Sequence, residues 1–490
     1  MPFFKNTPFV SASNIPIYHQ LYDYLRATIL AGQIKRGTRL PSTRALADEL
    51  GVSRNTVLSA YDQLFAEGYL EAVGGKGTFV THTLPEALLL PGKARRGGQQ
   101  PVKRSHALSE RARTLLATPT MPSSPFAQRT NQAFETGIPA LNQFPYELWA
   151  KLLSRQAHGL HPNRLMYQHV AGYRPLREAI ADHVILARQV RCTPEQVIIV
   201  SGSQGGLYLA ARVLLNPGDE VWIEDPGYLG ARRALLAAGA RLVPIPVDGD
   251  GLNVDVGIRQ SPQARMAYLT PSHQFPLGVT LSLRRRLDLL AWAKRAGAYI
   301  LEDDYDSEFR FAGRPLAALQ GLDDSESVIY VGTFSKVLFP ALRLGYVIVP
   351  PDLMDAFLAF RASTDYHPPI LEQVALTDFI TEGHFTRHIR RMRTLYATRR
   401  WMLLDALQDS PLEMDASEAG MHLVGWLPAG VPDQVAAQHA TEHQVRVLPI
   451  STFAMENQMR GGLVLGYAAV DEPEIQRGAE QLLRALDWLS

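Results

Sequence analysis

Lys336 is the residue of this sequence whose surroundings most favour covalent chemistry. It ends the segment VGTFSK, which follows an apolar run typical of a buried strand. A lysine held among small hydroxyl residues at the end of a buried strand can lose its charge and attack a carbonyl group, as Schiff-base lysines do. A lone lysine is almost always a surface residue, so this interpretation needs other groups at the same place.

Three further segments bring polar or aromatic groups to the ends of predicted strands. The segment SGSQGG (201–206) begins a helix, and its free N–H groups can bind an anion. The segment EDPGY ends at Tyr228, and the segment EDDY contains Asp303 and Tyr305. Taken singly, these are explained as well by an ordinary turn, by packing and by solvation.

Taken together, the four segments predict one ligand with a phosphate, a flat aromatic ring, a protonatable ring nitrogen and an aldehyde. Pyridoxal phosphate has all four features, and its ring nitrogen needs an acidic partner to act as an electron sink. Alternating strands and helices predict an α/β body with a mostly parallel sheet, whose sites lie at the carboxyl ends of strands. The predicted strands are 197–200, 221–223, 266–269, 299–301, 328–331 and 346–349.

A second kind of module is predicted in the first 82 residues. Apolar residues every four positions from Ile17 predict a helix that ends near Gly32. Ser42 and Ser53 can cap two short helices separated by Gly51, which is the pattern of a helix-turn-helix. Strand-like runs on both sides of the segment GGKG predict a hairpin wing.

These 82 residues resemble the GntR family of winged-helix regulators through LPSTRALADELGVSRNTVLSAYDQLFAEGYL and GGKGTFV. The resemblance implies that DNA is bound by the second helix, the start of the third helix and the wing. The polar start of the third helix suits the major groove and the wing cation suits a phosphate. The predicted DNA-binding residues are Arg44, Ser53, Arg54, Asn55, Thr56, Lys76 and Gly77.

Charge and composition divide the chain into three parts. Residues 1–125 contain fifteen Lys and Arg against eight Asp and Glu, a net charge of +7, whereas the whole chain has +1. A basic first part fits a polyanionic partner, although a solvated face explains it too. We predict a DNA-binding domain over 1–82, a basic flexible linker over 83–130 and an α/β domain over 131–490, with a small C-terminal subdomain from about residue 360.

Residues 131–480 resemble fold-type I, class I aminotransferases, and the whole chain resembles the MocR/GabR regulators, which join a GntR domain to such a body. The resemblance implies that Lys336 forms the internal aldimine with pyridoxal phosphate, that Asp303 pairs with the ring nitrogen and that Tyr228 stacks on the ring. It places Tyr305 near the ring hydroxyl, with His273 in the loop TPSHQFPLG beside it. The residues that it assigns to the phosphate are Ser203, Gln204, Thr333, Ser335, Arg343 and, from a partner subunit, Tyr167.

One position departs from the aminotransferase pattern. The arginine that usually clasps the substrate carboxylate corresponds to Val464, which cannot hold an anion. Arg460 and Arg232 are candidate substitutes. The departure leaves an amine, an amino sulfonate and the cofactor vitamer itself open as effectors.

The resulting prediction is a cytoplasmic, homodimeric regulator that binds an operator and senses pyridoxal phosphate, alone or with an amine. The resemblance implies a head-to-tail, domain-swapped dimer. The single cysteine, Cys192, excludes an internal disulfide, and no residue spacing indicates a metal site or a membrane span. Two alternatives stay open: a metabolic aminotransferase with a DNA-binding appendage, and a repressor whose body only dimerises.

Overall fold

The computed structural model describes residues 15–85, 107–121 and 133–489, except 160–161, 312–315, 416 and 457–458. The chain divides into two compact units, residues 1–106 and residues 107–490. In the first unit the helices are α1 (Ile17–Leu30), α2 (Thr43–Leu50) and α3 (Arg54–Ala66), and the strands are β1 (Leu70–Val73) and β2 (Gly77–Val80).

Local capping explains where the helices of the first unit begin and end. The side chain of Ser42 accepts a hydrogen bond from the N–H of Ala45, and that of Ser53 accepts one from the N–H of Thr56. Gly51 ends α2 in the left-handed region at φ 62°, which glycine adopts without steric cost. Strands β1 and β2 pair antiparallel as the predicted wing. The predicted winged helix-turn-helix is therefore present.

The core of the first unit is apolar and continuous. Residues from all three helices and from both strands are buried together, among them Leu21, Leu46, Val57, Leu64 and Val80. Burial of a side chain of this size contributes about 1.5–3 kcal/mol to stability. The polar first turn of α3 is consequently left on the surface.

The second unit is built around an eight-stranded sheet in the order β3-β10-β9-β8-β7-β4-β5-β6. Neighbouring strands from β9 to β5 are parallel, whereas β10 and β6 run antiparallel to their neighbours. The sheet strands are β3 (Val197–Val200), β4 (Glu220–Asp225), β5 (Arg241–Asp248), β6 (Gly251–Leu252), β7 (Met266–Leu269), β8 (Tyr299–Asp304), β9 (Val328–Thr333) and β10 (Gly345–Ile348).

Helices cover the sheet, and a second sheet lies in the C-terminal part. The helices of this unit are α4 (Glu110–Ala117), α5 (Tyr146–His158), α6 (Pro162–Leu165), α7 (Arg174–Arg188), α8 (Gly202–Leu214), α9 (Leu229–Ala238), α10 (Val254–Gln260), α11 (Leu283–Ala296), α12 (Leu319–Leu322), α13 (Met354–Ala362), α14 (Ile370–Thr381), α15 (His384–Ala406), α16 (Asp433–Glu442) and α17 (Glu472–Leu486). The second sheet is antiparallel in the order β11-β12-β14-β13. Its strands are β11 (Glu413–Met414), β12 (His422–Trp426), β13 (Leu448–Pro449) and β14 (Gly462–Gly466).

The structure differs from the predicted linker at residues 107–121. This segment belongs to the second unit and contains α4, which packs against α9. The guanidinium of Arg233 donates hydrogen bonds to the carbonyl oxygens of Leu115 and Thr118, 2.8 and 2.7 Å away. Because these carbonyls lie at the end of α4, Arg233 satisfies groups that a helix leaves unpaired. The linker cations Lys93, Arg95, Arg96, Lys103 and Arg104 lie outside the described residues.

No helix among the residues that the structure describes is long and apolar enough to span a bilayer.

Candidate functional site

A cavity in the second unit lies at the carboxyl ends of β4, β7 and β8. It brings together residues that are far apart in the chain. Its lining residues are Met121, Thr136, Gly137, Ser203, Tyr228, Thr270, Phe275, Asp303, Tyr305, Lys336, Met421 and His422. The cavity therefore contains one residue or more from each of the four segments selected from the sequence.

Lys336 is half-buried at the wall of this cavity. Its Nζ atom donates a hydrogen bond to the carbonyl oxygen of Gly137, 2.6 Å away. Burial lowers the pKa of Lys336, while the nearby carboxyls of Asp306 and Asp303 act in the opposite direction. A Cβ atom at Gly137 would lie 2.8 Å from Nζ, so the glycine allows this close approach. A lysine amine whose charged form is disfavoured is suited to attack a carbonyl carbon.

Asp303 has one free carboxylate oxygen. Its Oδ2 atom accepts a hydrogen bond from the hydroxyl of Tyr268 at 3.0 Å, whereas Oδ1 is buried without a partner among the described residues. Burial raises the pKa of Asp303 to about 7. A cation placed beside Oδ1 would stabilise the carboxylate, because an opposite charge favours the ionised form.

The neighbouring carboxylate holds the end of β8 in place. Asp304 Oδ2 accepts hydrogen bonds from the guanidinium of Arg188 at 2.8 Å and from the hydroxyl of Tyr330 at 2.6 Å. Arg188 also donates to the hydroxyl of Ser272, in the loop that follows β7. This buried pair connects two strand ends, and the loss of either partner would leave an uncompensated buried charge.

A group of hydrogen-bond donors that could bind an anion lies near the start of α8. The guanidinium of Arg343 donates to the carbonyl oxygen of Ser201 at 3.0 Å and lies against Gly202, whose Cβ would be 3.3 Å away. Helix α8 has no side-chain cap, so its first N–H groups are available to an anion. Ser335 contributes a buried hydroxyl without a partner among the described residues. Thr333 accepts a hydrogen bond from the Ser335 N–H, which shapes this turn.

Tyr228 and Gln204 meet at the first turn of α9. The Gln204 side chain donates to the carbonyl oxygen of Gly230 at 2.9 Å, so this amide supports the turn that carries Tyr228. The Tyr228 ring lines the cavity and packs edge-on against Phe275, with 6.0 Å between centroids. Burial raises the pKa of Tyr228 to about 12, which keeps its hydroxyl protonated.

The loop TPSHQFPLG, in which His273 is predicted to lie near the ring hydroxyl, contributes Thr270 and Phe275 to the cavity lining. Phe275 lines the cavity, whereas His273 is not among the described residues that line it. The Nδ1 atom of His273 lies 3.0 Å from the hydroxyl of Tyr305, the residue that is predicted to lie near the ring hydroxyl. His273 therefore lies behind Tyr305 and contacts the cavity lining at the Tyr305 hydroxyl. No pattern in the sequence indicated a role for Phe275, because an apolar ring in a loop usually serves packing.

The position that corresponds to the substrate arginine is apolar. Val464 is fully buried in β14 and packs with Phe275 and Phe453. Arg460 donates to the carbonyl oxygen of Leu427 and pairs with Glu413, away from the cavity. No arginine, including Arg232, is among the described residues that line the cavity.

Tyr167 lies outside the cavity lining of the single chain. Its side chain is 83% exposed, and its ring centroid is 5.5 Å from that of Tyr366. An exposed tyrosine of this kind is compatible with a role at a subunit interface, which stays a prediction.

In the first unit, the predicted DNA-binding residues form the polar starts of α2 and α3 and the tip of the wing. Arg44, Ser53, Arg54, Asn55, Lys76 and Gly77 are exposed, and Thr56 is half-buried. The Nε atom of Arg54 is 3.5 Å from the hydroxyl of Thr43, which joins the two helix starts. A Cβ atom at Gly77 would lie 2.9 Å from Nε of Arg39. Arg39 is thus a further cation beside the wing that sequence reasoning missed.

Comparisons with known proteins agree with this division of the chain. Residues 17–80 match the family of bacterial regulatory proteins of the gntR type, and residues 135–482 match the aminotransferase class I and II family. The chain is 43% identical to the probable rhizopine catabolism regulatory protein MocR of Rhizobium meliloti, over 96% of this chain and 94% of that protein. The chain belongs to the MocR-type family of transcription regulators.

Two further relatives extend the comparison. This MocR-type chain is 31% identical to the HTH-type pyridoxine biosynthesis transcriptional regulator PdxR of Corynebacterium glutamicum, with 93% of each protein covered. The crystal structure of Pyrococcus horikoshii kynurenine aminotransferase, in complex with PMP, matches with a TM-score of 0.69 and 28% identity, over 78% of this chain and 95% of that chain.

The cavity fits pyridoxal phosphate, the cofactor of this aminotransferase-like domain. The unpartnered Oδ1 of Asp303 suits a protonated ring nitrogen, and the unpartnered hydroxyl of Ser335 suits a phosphate oxygen. Lys336 supplies an amine at the same wall. The protein is a pyridoxal-phosphate-dependent, DNA-binding transcription regulator.

Besides Phe275, five cavity residues had no usable sequence signal: Met121, Thr136, Gly137, Met421 and His422. Met121 lies in the expected linker, and the others follow no chemical motif. Only the folding of distant segments onto one sheet edge brings them to the site.

Proposed function

We propose that this MocR-type regulator binds an operator through its winged helix and senses pyridoxal phosphate, alone or with an amine effector, in the cavity around Lys336. The observation that carries the proposal is that one cavity contains both the amine of the half-buried Lys336 and the buried carboxylate of Asp303, one oxygen of which has no partner among the described residues. When bound, the cofactor supplies an aldehyde that condenses with amines and a ring that withdraws electrons.

The residues at the cavity have separate roles in this proposal. Lys336 provides the amine that holds the cofactor, and Asp303 keeps a proton on the ring nitrogen by its negative charge. Tyr228 covers one face of the ring, while Ser335 and Arg343 bind the phosphate. A ligand that binds one conformation of the body better than another shifts the conformational equilibrium without any turnover.

The effector proposed here is an amine or the vitamer itself. The lining contains apolar walls from Met121, Phe275 and Met421, and no arginine is among its described residues. An α-carboxylate would find no bidentate partner there. The name of the relative PdxR, a regulator of pyridoxine biosynthesis, supports the vitamer as one candidate.

We further propose that the protein is a cytoplasmic homodimer. Helix-turn-helix dimers bind two half-sites, so a dimer would engage a repeated operator. A head-to-tail dimer would place Tyr167 of one subunit at the phosphate site of its partner. Sedimentation equilibrium of the full chain tests the dimer. The Tyr167→Phe substitution should weaken cofactor binding and leave the dimer intact.

The test of the function uses Lys336→Ala in the full chain. After incubation with pyridoxal phosphate and reduction with borohydride, wild-type protein should carry the pyridoxyl group on Lys336, and the variant should carry none. Operator affinity without cofactor should stay within about threefold in the variant, because the change is confined to the second unit. The exposed Lys294→Ala variant is the control and should behave like the wild type.

Three outcomes would count against the proposal. A wild-type protein that traps no pyridoxyl group refutes cofactor sensing, and a trapped group on Lys336→Ala refutes the assignment of the lysine. Steady production of keto acid from an amino donor would favour a metabolic aminotransferase with a DNA-binding appendage instead.

A further inference from the structure

His273 occupies a buried position directly behind the cavity residue Tyr305. Its ring is 2% exposed, and its Nδ1 atom lies 3.0 Å from the Tyr305 hydroxyl and 2.9 Å from Oδ2 of Asp306. The opposite ring atom, Nε2, is buried and has no hydrogen-bond partner among the described residues. The function proposed above leaves this His273–Asp306 pair without a task.

Two glycines enclose the imidazole. A Cβ atom at Gly420 would lie 2.0 Å from Cε1 of His273, and one at Gly278 would lie 3.2 Å from Nε2. Both glycines have positive φ angles, +86° and +73°, which side-chain-bearing residues rarely adopt. The backbone is therefore shaped around this ring, and the orientation of the imidazole is fixed.

The position of the imidazole proton follows from these contacts. A proton on Nε2 would be a buried donor without an acceptor, which is costly. A proton on Nδ1 can be donated to the Asp306 carboxylate in a charge-assisted hydrogen bond. The Nδ1–H tautomer is therefore favoured, and in it Nδ1 has no lone pair to accept the hydroxyl proton of Tyr305.

The consequence concerns the direction of the Tyr305 hydroxyl. Its oxygen can accept from the shared Nδ1–H of His273, while its own proton is left for a partner in the cavity. Phe275, from the same loop as His273, offers no donor or acceptor to that part of the wall. A ligand oxygen beside Tyr305 would thus receive the proton of this hydroxyl.

We propose that His273, held by Asp306, is a positioning residue that keeps the Tyr305 hydroxyl proton directed into the cavity, toward the ring oxygen of bound pyridoxal phosphate. The inference rests on the proposed function, because it requires that the cofactor binds at Lys336. It adds a specific polar support that the family resemblance does not assign to His273.

The electrostatic surroundings of the pair contain both signs of charge. Besides Asp306, the charged and titratable groups that interact with His273 or Tyr305 are Glu224, Asp303, Asp304, Asp415 and His422, and Lys336 interacts with Asp306 itself. Burial lowers the pKa of His422 to about 3, so this second imidazole is neutral near pH 7. These neighbours are present in every variant below, so differences between variants report the His273–Tyr305 contact.

The test compares His273→Asn with His273→Gln in the full-length protein. The asparagine amide can occupy the place of Nδ1 and donate to Asp306, whereas the glutamine amide reaches the place of Nε2. We expect His273→Gln to weaken pyridoxal phosphate binding by about threefold to tenfold, the effect of one hydrogen bond. It should also shift the absorption maximum of the bound cofactor and the pH at which that absorption changes. His273→Asn should restore both properties toward wild type.

The effect of His273→Gln is also measured in the Tyr305→Phe protein, which lacks the tyrosine hydroxyl. If His273 acts through the tyrosine hydroxyl, His273→Gln should change neither affinity nor spectrum further once that hydroxyl is absent. Equal effects of His273→Gln in both backgrounds would overturn the proposal, and so would an unchanged spectrum and affinity in the single variant.

Thermal unfolding of the cofactor-free protein would reveal whether His273→Gln fails to fold. A second variant tests the proposal in that case. Asp306→Asn keeps the shape of the side chain and removes the acceptor charge, and it should shift the spectrum in the same direction as His273→Gln. A wild-type spectrum in Asp306→Asn would also overturn the proposal. Wild-type protein that binds no cofactor would instead refute the proposed function itself.

Discussion

Two carboxyl groups with raised pKa values, those of Asp303 and Glu224, lie at the ends of β8 and β4, which are separated in the sheet by β7. Burial raises the pKa of Glu224 to about 8 and that of Asp303 to about 7. Glu224 accepts hydrogen bonds from the N–H and the hydroxyl of Thr270, whereas Oδ1 of Asp303 has no partner in the part of the chain that the structure describes. The two environments separate a structural carboxyl group from one that is available to a ligand.

The raised pKa of Asp303 predicts a pH dependence of stability in the cofactor-free protein. A carboxyl group whose folded pKa exceeds its unfolded value stabilises the fold at low pH, and this contribution is lost as the pH rises through the folded value. For Asp303 the window runs from 3.8 to about 7. Within it, the stability of wild type relative to Asp303→Asn should fall by up to about 1.4 kcal/mol per pH unit.

Urea unfolding at several pH values between 4 and 8 measures this difference. The variant Asp324→Asn, which changes an exposed carboxyl group, is the control. Its free energy of unfolding should depend on pH in the same way as that of the wild type. If the free energies of unfolding of wild type and Asp303→Asn change with pH in the same way, the buried carboxyl group does not titrate in this window.

At the scale of elements, Ser53 at the start of α3 caps the helix and is also predicted to contact DNA. The Ser53 side chain accepts a hydrogen bond from the N–H of Thr56 at 3.1 Å. Ser53→Ala should cost about 1 kcal/mol of stability in the first unit, because an N-cap is lost. Ser53→Asp should keep the cap, since aspartate is a good N-cap residue.

The pair of variants separates capping from DNA contact. Ser53→Asp should retain thermal stability and yet bind operator more weakly than the wild type, because its charge repels phosphates. Wild-type operator affinity in Ser53→Asp at matched salt would remove Ser53 from the DNA interface.

Helix α4 depends on one side chain of α9 for its C-terminal hydrogen bonds. Arg233→Leu would leave the carbonyl oxygens of Leu115 and Thr118 without this donor. Unpaired groups of this kind cost about 1–3 kcal/mol when buried. We expect limited proteolysis near residues 107–121 to become faster in Arg233→Leu. Arg284→Leu, an exposed change on α11, is the control, and equal cleavage rates would show that Arg233 does not hold α4.

At the scale of the whole molecule, DNA binding and cofactor binding belong to separate compact units. Arg54→Ala should therefore weaken operator binding by about tenfold or more, the effect of losing a specific arginine contact, and leave cofactor loading unchanged. A mobility-shift assay and cofactor absorbance at equal salt concentration measure the two properties. Loss of both together would show that the units are not independent, and loss of neither would remove Arg54 from the interface.

The sequence by itself determined the elements and the chemistry. Serine caps and Gly51 specified the winged helix, and apolar runs predicted β3, β4 and β7 to β10 within a few residues of their bounds. Capping and strand burial act over a few neighbouring residues, so their signals are local. The same holds for the motifs around Lys336 and Asp303, because each lies directly after its strand.

Only the tertiary structure decided what surrounds these motifs. Met121 reaches the cavity because Arg233, more than a hundred residues later, holds the segment before it. Phe275 takes the cavity wall and His273 the position behind Tyr305 because Gly278 and Gly420 leave space for the imidazole there. Such placements arise from contacts between distant segments, and a linear pattern carries no record of them.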